Sequence, residues 1–421
     1  MDKSSNNGSM KNRISKKRII IISMIIILII SNLGFFYLGN KFAFTTIGLK
    51  GMNSDVANDL KAIKDTEKYD LLFEVRNTIL SKYDGEIDDE KLLQGAIKGM
   101  TLSLQDPYTV FMNSEEYKDF VEQSEGHFVG IGAQLGIKDN KVMVVAPIEG
   151  SPADEAGLKA GDIILKVDDA LLEEANLEKT IAIIRGEEGT EVKLTVQREG
   201  EENPLDIKIV RGVVNMVAVK GEMIDEAVGY IQISSFDENV AKDFEEKIVE
   251  LKKSGMTGLI LDLRGNPGGF LGESVKVASQ FIPKGDTITY TIDKYDKKIE
   301  SKSVGGEAIG MPLVVLIDGG SASASEVVTG ALRDYEVATT VGVNTFGKGV
   351  VQQLIEFDDG LGALKVTTSR YYTPNGENIH EIGIKPDIEV EIPEELLVGS
   401  YDRSKDPQFI KALEVINEKL K

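Results

Sequence analysis

The 421-residue sequence contains no cysteine and only two histidines, His127 and His380. The first absence removes disulfides, thiolate zinc sites, iron–sulfur clusters and cysteine nucleophiles. The second removes a three-histidine metal site and the H-E-x-x-H zinc motif, because the two imidazoles stand far apart in the chain. Acid–base chemistry therefore falls to lysine or to carboxylates. Basic charge is short as well: 48 Lys and Arg stand against 69 Asp and Glu, a net charge of −21. The first 18 residues carry +5 and the remainder −26. A body this acidic offers no face for phosphate, so nucleic acid is not expected as a partner.

Charge is missing altogether from Ile19 to Asn40. The apolar core of this stretch, Ile19 to Leu38, has 20 residues. At ~1.5 Å per residue it spans about 30 Å, the thickness of a bilayer interior. Lys11, Arg13, Lys16, Lys17 and Arg18 precede it and only Lys41 follows closely. The expectation is a single-pass anchor with a cytoplasmic N-terminus and everything after residue 41 outside. A cleaved signal peptide fits less well, because the run exceeds the usual ~7–15 apolar residues and no A-x-A site follows.

The exterior divides by pattern. Residues 41–125 carry apolar residues at helical spacing, among them Leu71, Leu72, Val75, Ile79, Leu92, Leu93, Ile97 and Met100. A break at Gln105–Thr109 precedes another helix start at Ser114-Glu115-Glu116. Residues 126–212 read as short strands with one short helix at Ser151–Leu158 and another at 177–184. Over 213–392 strands and helices alternate. Val228–Ile233, Gly258–Leu263 and Pro312–Ile317 are apolar without alternation, which predicts a parallel or mixed sheet covered by helices on both faces. Residues 393–421 read as a helical tail. The segments 55–100 and 393–421 are the candidates for contacts in a homodimer.

In such sheets chemistry collects at the carboxyl ends of the strands. Two turns lie there, Arg264–Gly269 and Asp318–Ser325. The second places Ser321, Ser323 and Ser325 at a helix start, where free N–H groups favour a developing anion. The same residues would serve as an ordinary helix cap, and spacing alone does not choose among the serines. A serine needs a base. Lys348, between Gly347 and Gly349, would serve if burial brought its pKa well below the usual ~10.4; otherwise it is an exposed turn lysine. On a regular strand Gln352 would share its face and could orient it. Gly342–Lys348 matches the G-x-x-x-x-G-K phosphate loop, but Gly349 replaces the required Ser or Thr and a strand-like run follows, so no nucleotide or other cofactor is implied.

Taken together these motifs resemble the carboxy-terminal processing proteases, the tail-specific S41 serine peptidases with an embedded PDZ domain. The resemblance runs from about Asp55 to Val390. It rests on Gly320–Glu326, Gly347–Gln352, Leu261–Gly269, Tyr371–Gly376, Gly383–Asp387 and Asp106–Thr109. It implies an α/β protease core with an inserted PDZ domain (α+β) at 126–212. It implies Ser323 as nucleophile, Lys348 as general base and Gln352 as its orienter, with the amides of Gly269 and Ala324 as the oxyanion hole. The loop Gly130-Ile131-Gly132-Ala133 would bind a terminal carboxylate through its N–H groups and accept the substrate as an added strand. Arg185 would either couple peptide occupancy to the core or form a surface ion pair. The implied activity is a membrane-anchored endopeptidase acting on protein substrates with accessible C-terminal tails. The alternative is a catalytically silent PDZ adaptor, which would not need Ser323, Lys348 and Gln352 all intact.

Overall fold

A computed structural model describes residues 67–172, 176–357, 360–393, 396 and 401–421. The basic stub and the uncharged segment 19–40 lie outside the described residues. Among the described residues no helix is long and apolar enough to cross a membrane. The chain divides into two compact units, residues 1–92 and 93–421. In the first, α1 (Glu67–Lys82) precedes the start of α2 (Asp89–Leu102), and Arg76 pairs with Asp89. Leu71, Leu72, Phe73, Val75 and Leu80 of α1 are exposed.

The second unit opens with β1 (Val110–Met112) and α3 (Ser114–Ser124). A capping box starts α3: Asn113 Oδ1 accepts from Glu116 N, and Glu116 Oε2 accepts from Asn113 N, both at 2.9 Å. Next come β2 (His127–Gly130), β3 (Ala133–Lys138), β4 (Lys141–Pro147), α4 (Pro152–Glu155), β5 (Ile163–Val167) and β6 (Ala170–Leu171). They are followed by α5 (Leu177–Ile184), β7 (Glu191–Gln197), β8 (Leu205–Val210) and β9 (Gly212–Asn215). An antiparallel sheet in the order β3-β4-β5-β7-β8 closes around its own core. Alternation on β7 shows why: Val192, Leu194 and Val196 are fully buried while the residues between them are not. Beneath this sheet Asp162 is buried and paired with Arg198 at 2.7 Å. Separately, β2 and β9 form a two-stranded ribbon in which Gly130 lies opposite Gly212.

The rest of the chain builds two further sheets from β10 (Val219–Met223), β11 (Val228–Ile233), α6 (Val240–Lys253), β12 (Gly258–Asp262), α7 (Leu271–Ser279), β13 (Thr287–Asp293) and β14 (Lys298–Lys302). The remaining elements are β15 (Leu313–Ile317), α8 (Ala324–Asp334), β16 (Thr339–Gly342), β17 (Val350–Glu356), β18 (Ala363–Tyr372), β19 (Ile388–Glu389) and α9 (Pro407–Lys419). One sheet runs β10-β11-β12-β15-β16-β19 and is parallel except at β10. Every residue of β12 and β15 is buried, as continuous apolar strands require. Phe244 and Ile248 of α6, Val277 of α7 and Val328 of α8 cover one face. Phe409, Ala412 and Ile416 of α9 cover the other. Each such buried side chain contributes about 1.5–3 kcal/mol. The tail helix thus packs Phe409, Ala412 and Ile416 inside the molecule, over residues 407–419 of the expected tail.

The other sheet is antiparallel, β1-β18-β13-β14 with β17 also on β18. Its first strand lies in the segment read as mainly helical, just after the break at Gln105–Thr109: Val110–Met112 pairs with Ala363–Lys365. Three residues are too short for a periodicity to register against the helices on either side.

Candidate active site

The carboxyl ends of β12 and β15 bring the two turns together. Asn266, fully buried, joins them. Its Nδ2 donates to Ile233 O at 2.8 Å, its Oδ1 accepts from Gly268 N at 2.9 Å, and its carbonyl accepts from Ala322 N at 3.0 Å and Ser325 Oγ at 2.9 Å. These bonds also separate the three serines. Ser325 Oγ is used on Asn266, and Ser321 Oγ donates to Leu263 O at 2.8 Å. The Ser323 hydroxyl donates to nothing among the described residues, and Ser323 alone of the three is partly exposed. It occupies φ 53°, ψ −108°, a left-handed conformation that costs a non-glycine residue about 1–3 kcal/mol and turns the side chain outward. The opposing chain allows this because position 268 has no side chain: a Cβ there would lie 2.9 Å from Ser323 Cβ.

Next to Ser323 two backbone donors are free. Ala324 is the first residue of α8, and its N–H is one of the unpaired amides of a helix start. Gly269 sits at φ 143° against Phe236, tied by Phe236 N to Gly268 O and Phe270 N to Phe236 O, both 2.8 Å. Neither Gly269 N–H nor Ala324 N–H has a hydrogen-bond partner among the described residues. Two such donors beside one hydroxyl can hold the oxygen of a tetrahedral intermediate.

Lys348 reaches this place through a residue whose role spacing did not reveal. Glu326, three positions into α8, is fully buried. Its Oε2 accepts from Ser323 N at 2.8 Å and Lys348 N at 2.9 Å, and its Oε1 from Gly347 N at 2.7 Å and Thr345 Oγ1 at 2.6 Å. One carboxylate thus ties the serine turn to the lysine turn. The sequence signal was the Ser-x-x-Glu cap pattern, which is compatible with a cap that does nothing else.

Burial pushes the Lys348 ammonium below its ordinary pKa, and the like charge of Lys365 pushes it further, while Asp106 and Glu326 oppose both. Its Nζ lies 4.7 Å from the centre of the Tyr108 ring. Among the described residues it makes no hydrogen bond to Ser323 or Gln352. The expected hydrogen bond between Lys348 and Gln352 on one strand face is not formed in this structure. Lys348 precedes β17, which starts at Val350, so strand alternation does not extend to it; the register shift opposite Val351 and Gln352 puts its extra residue, Thr368, on β18. Gln352 Nε2 instead donates to Thr367 Oγ1 at 3.2 Å. His380 packs near Tyr108, ring centres 6.4 Å apart, and its buried Nδ1 has no partner among the described residues.

In the β3-β4-β5-β7-β8 sheet, β3 is an edge strand with α5 beside it. The loop before it is fixed through its carbonyls: Gly132 O accepts from Ile148 N and Ser151 Oγ at 2.8 Å, and Ile131 O from Ala153 N at 2.7 Å. The N–H groups of Ile131 and Gly132 have no partner among the described residues. Gly132 is at φ 75°, and a Cβ there would meet Ser151 Cβ at 2.3 Å. Between Gly130 and Ala133 the chain therefore presents N–H groups beside a free strand edge. Arg185 ends α5 and pairs with Asp119 of α3, both half exposed, which is the geometry of a surface ion pair.

A second charged group that spacing did not single out is Arg264, at the head of the Gly269 turn. It is bound to Asp262 Oδ2 and Asp406 Oδ2 at 2.6 Å each. Asp406 also caps α9, through Gln408 N at 2.9 Å. An Asp and an Arg at the end of an apolar strand were the available signal.

A partly exposed serine at a helix start, two amides without a partner among the described residues and a half-buried lysine are the arrangement of a serine-type peptidase, here joined to a PDZ domain. Comparison with known proteins agrees. The peptidase family S41 profile matches residues 227–390, a PDZ domain profile residues 143–198, and the profile of the activating protease CtpB N-terminal domain residues 28–116. The carboxy-terminal processing protease CtpA of Bacillus subtilis (strain 168) is 40% identical over 353 residues, 84% of this chain and 75% of that protein. A carboxy-terminal-processing protease of Bartonella bacilliformis (strain ATCC 35685 / KC583 / Herrer 020/F12,63) is 36% identical over 87% of this chain and 84% of its own length. A solved structure assigned to the S41 proteases of Bacteroides fragilis NCTC 9343 shares the fold, with a TM-score of 0.54 at 16% identity over 80% of this chain and 93% of that one. The chain belongs to the carboxy-terminal processing proteases of peptidase family S41.

Proposed function

We propose that the protein is a membrane-anchored endopeptidase that binds protein C-termini on its PDZ domain and cleaves by a Ser–Lys mechanism. Ser323 Oγ attacks the peptide carbonyl as its proton passes to Lys348 Nζ. The oxyanion is held by Gly269 N–H and Ala324 N–H. Lys348 gives the proton to the departing amine, leaving an acyl-enzyme on Ser323. Water then takes the place of the amine, with Lys348 again the base and Gln352 as its proposed orienter once it leaves Thr367 Oγ1. The observation that carries this reading is the Glu326 carboxylate, which fixes Ser323 and Lys348 to each other while, among the described residues, the Ser323 hydroxyl donates to nothing and both amides have no partner.

The terminal carboxylate of the substrate is received by the N–H groups of Gly130–Ala133, and the peptide extends the sheet at β3. Leu135 and Leu177, partly buried beside that edge, suit an apolar last residue. Residues 19–40 anchor the chain, with the basic stub in the cytoplasm and the catalytic part outside. The exposed apolar residues of α1 are the candidate contact for a homodimer. The test is degradation of an unstructured polypeptide by Ser323→Ala and Lys348→Ala proteins. Both are expected to be inactive, and Ser323 to be the residue labelled by a fluorophosphonate. Cleavage by either variant at the unmodified rate would overturn the mechanism.

A further inference from the structure

Tyr108 stands in the turn Gln105–Thr109, and that turn is braced against the active site by two routes. The first is a chain of hydrogen bonds. Asp106 Oδ2 accepts from Thr109 Oγ1 at 2.5 Å, Thr109 Oγ1 accepts from Thr367 N at 3.1 Å, and Thr367 Oγ1 accepts from Gln352 Nε2 at 3.2 Å. The second is the Tyr108 ring itself, which lies under Lys348 Nζ at 4.7 Å. Asp106 Oδ1 fixes the backbone of Tyr108 by accepting its N–H at 3.0 Å. The Tyr108 hydroxyl makes no hydrogen bond among the described residues, so the aromatic face is its working part.

We infer that Tyr108 is a positioning residue for the general base: its ring holds Lys348 as an ammonium in the resting enzyme and sets the pH at which the proton leaves. The inference rests on Lys348 being the base. An aromatic face attracts a cation through its quadrupole and does little for a neutral amine. It therefore opposes the loss of the proton that burial promotes. The other charged groups facing this lysine divide. Lys365 of β18 favours loss of the proton, whereas Asp106 of the turn and Glu326 of α8 favour its retention. His380 and Glu381, in the segment after β18, flank Tyr108, and their backbone packs against Gly349 and Gly347 on either side of Lys348. Tyr108 is the group whose removal takes away a cation site without adding or deleting a formal charge. When Lys348 turns to Ser323 it must leave the ring, and only the neutral amine leaves without cost.

The experiment follows acylation of Ser323 in the full chain by a fluorophosphonate, a probe that does not need the PDZ domain, between about pH 6 and 10. Tyr108→Leu keeps an apolar cover and removes the ring. Its acid limb is expected to move to lower pH by about half a unit to one unit. Tyr108→Phe is expected to restore the original limb. Phenylalanines carrying one to three ring fluorines at position 108 keep the shape and weaken the quadrupole, so the limb should step downward with each fluorine even where the leucine variant fails to fold. A limb that stays fixed across the fluorinated series, or a Tyr108→Phe protein shifted as far as the leucine variant, overturns the role of Tyr108. Unimpaired acylation of Lys348→Ala would instead remove the base, which is a separable outcome.

Discussion

Replacing Glu326 by Gln tests the tether between the two catalytic turns. The carboxylate is fully buried and receives four donors, so every lone-pair direction that faces the protein is used. An amide has the same shape but must present an NH2 where one oxygen stood. Placed at Oε2, that NH2 confronts both Ser323 N–H and Lys348 N–H. Placed at Oε1, it confronts Gly347 N–H, and the Thr345 hydroxyl can only partly adjust because it already accepts from Ile384 N at 2.7 Å. The second arrangement is the cheaper one. It orphans one buried donor and strips the charge from the remaining bonds, about 2–4 kcal/mol. Denaturant unfolding followed by circular dichroism should show that loss in the protease-core transition. Catalysis should suffer more than stability does, since a displacement of about 1 Å between reacting groups costs roughly 100-fold in rate. Ile248→Val, fully buried but remote from the site, is the control; it should lose about 1 kcal/mol and keep full activity. The Glu326→Gln acid limb should also shift to lower pH, because an anion that favoured the ammonium has gone. A Glu326→Gln protein as stable and as active as the unmodified one would refute the tether.

Two further outcomes follow from neighbouring groups. Gly269→Ala sets a Cβ 2.4 Å from Phe236 O at φ 143°, so the strand bridge must open and the amide must turn away; kcat on a peptide substrate should fall about 100- to 1000-fold, and an active alanine variant would remove Gly269 from the oxyanion hole. Lys365→Gln deletes the like charge that helps depress Lys348, so the Lys348 pKa rises and the acid limb of kcat/KM moves to higher pH, the direction opposite to that expected for Tyr108→Leu.

Much of the architecture was legible because its cause is local or periodic. Val228–Ile233, Leu205–Val210 and 177–184 have the expected bounds, since continuous burial, strict alternation and helical spacing each leave a mark on the residue order. The antiparallel sheet of β13, β14, β17 and β18 left a weaker mark. The residues of β14 are mostly exposed, and pairing with distant strands holds it in place. The serine and lysine turns were legible as motifs, but their connection was not. Glu326 is close to Ser323 in sequence and 22 residues from Lys348, and nothing along the chain distinguishes a capping glutamate from one that bridges two loops. The expected Lys348–Gln352 face assumed one regular strand through both residues, whereas the strand begins only at Val350, after Lys348. Tyr108 lies 240 positions before Lys348, and only the fold makes them neighbours.

The ribbon of β2 and β9 has a consequence for how such an enzyme can change. The chain leaves the core at Gly130 and returns at Gly212, and these two residues face each other across one ladder. Everything between them is joined to the rest through the two antiparallel strands of that ribbon and, on the surface, the Arg185–Asp119 ion pair. A cassette attached in this way can be lifted out and replaced by another of different length or taste without moving Ser323, Lys348 or Glu326. Preference for one chain end over another can drift under selection while the cutting machinery stays fixed, and a laboratory graft between residues 130 and 212 has a ready-made socket.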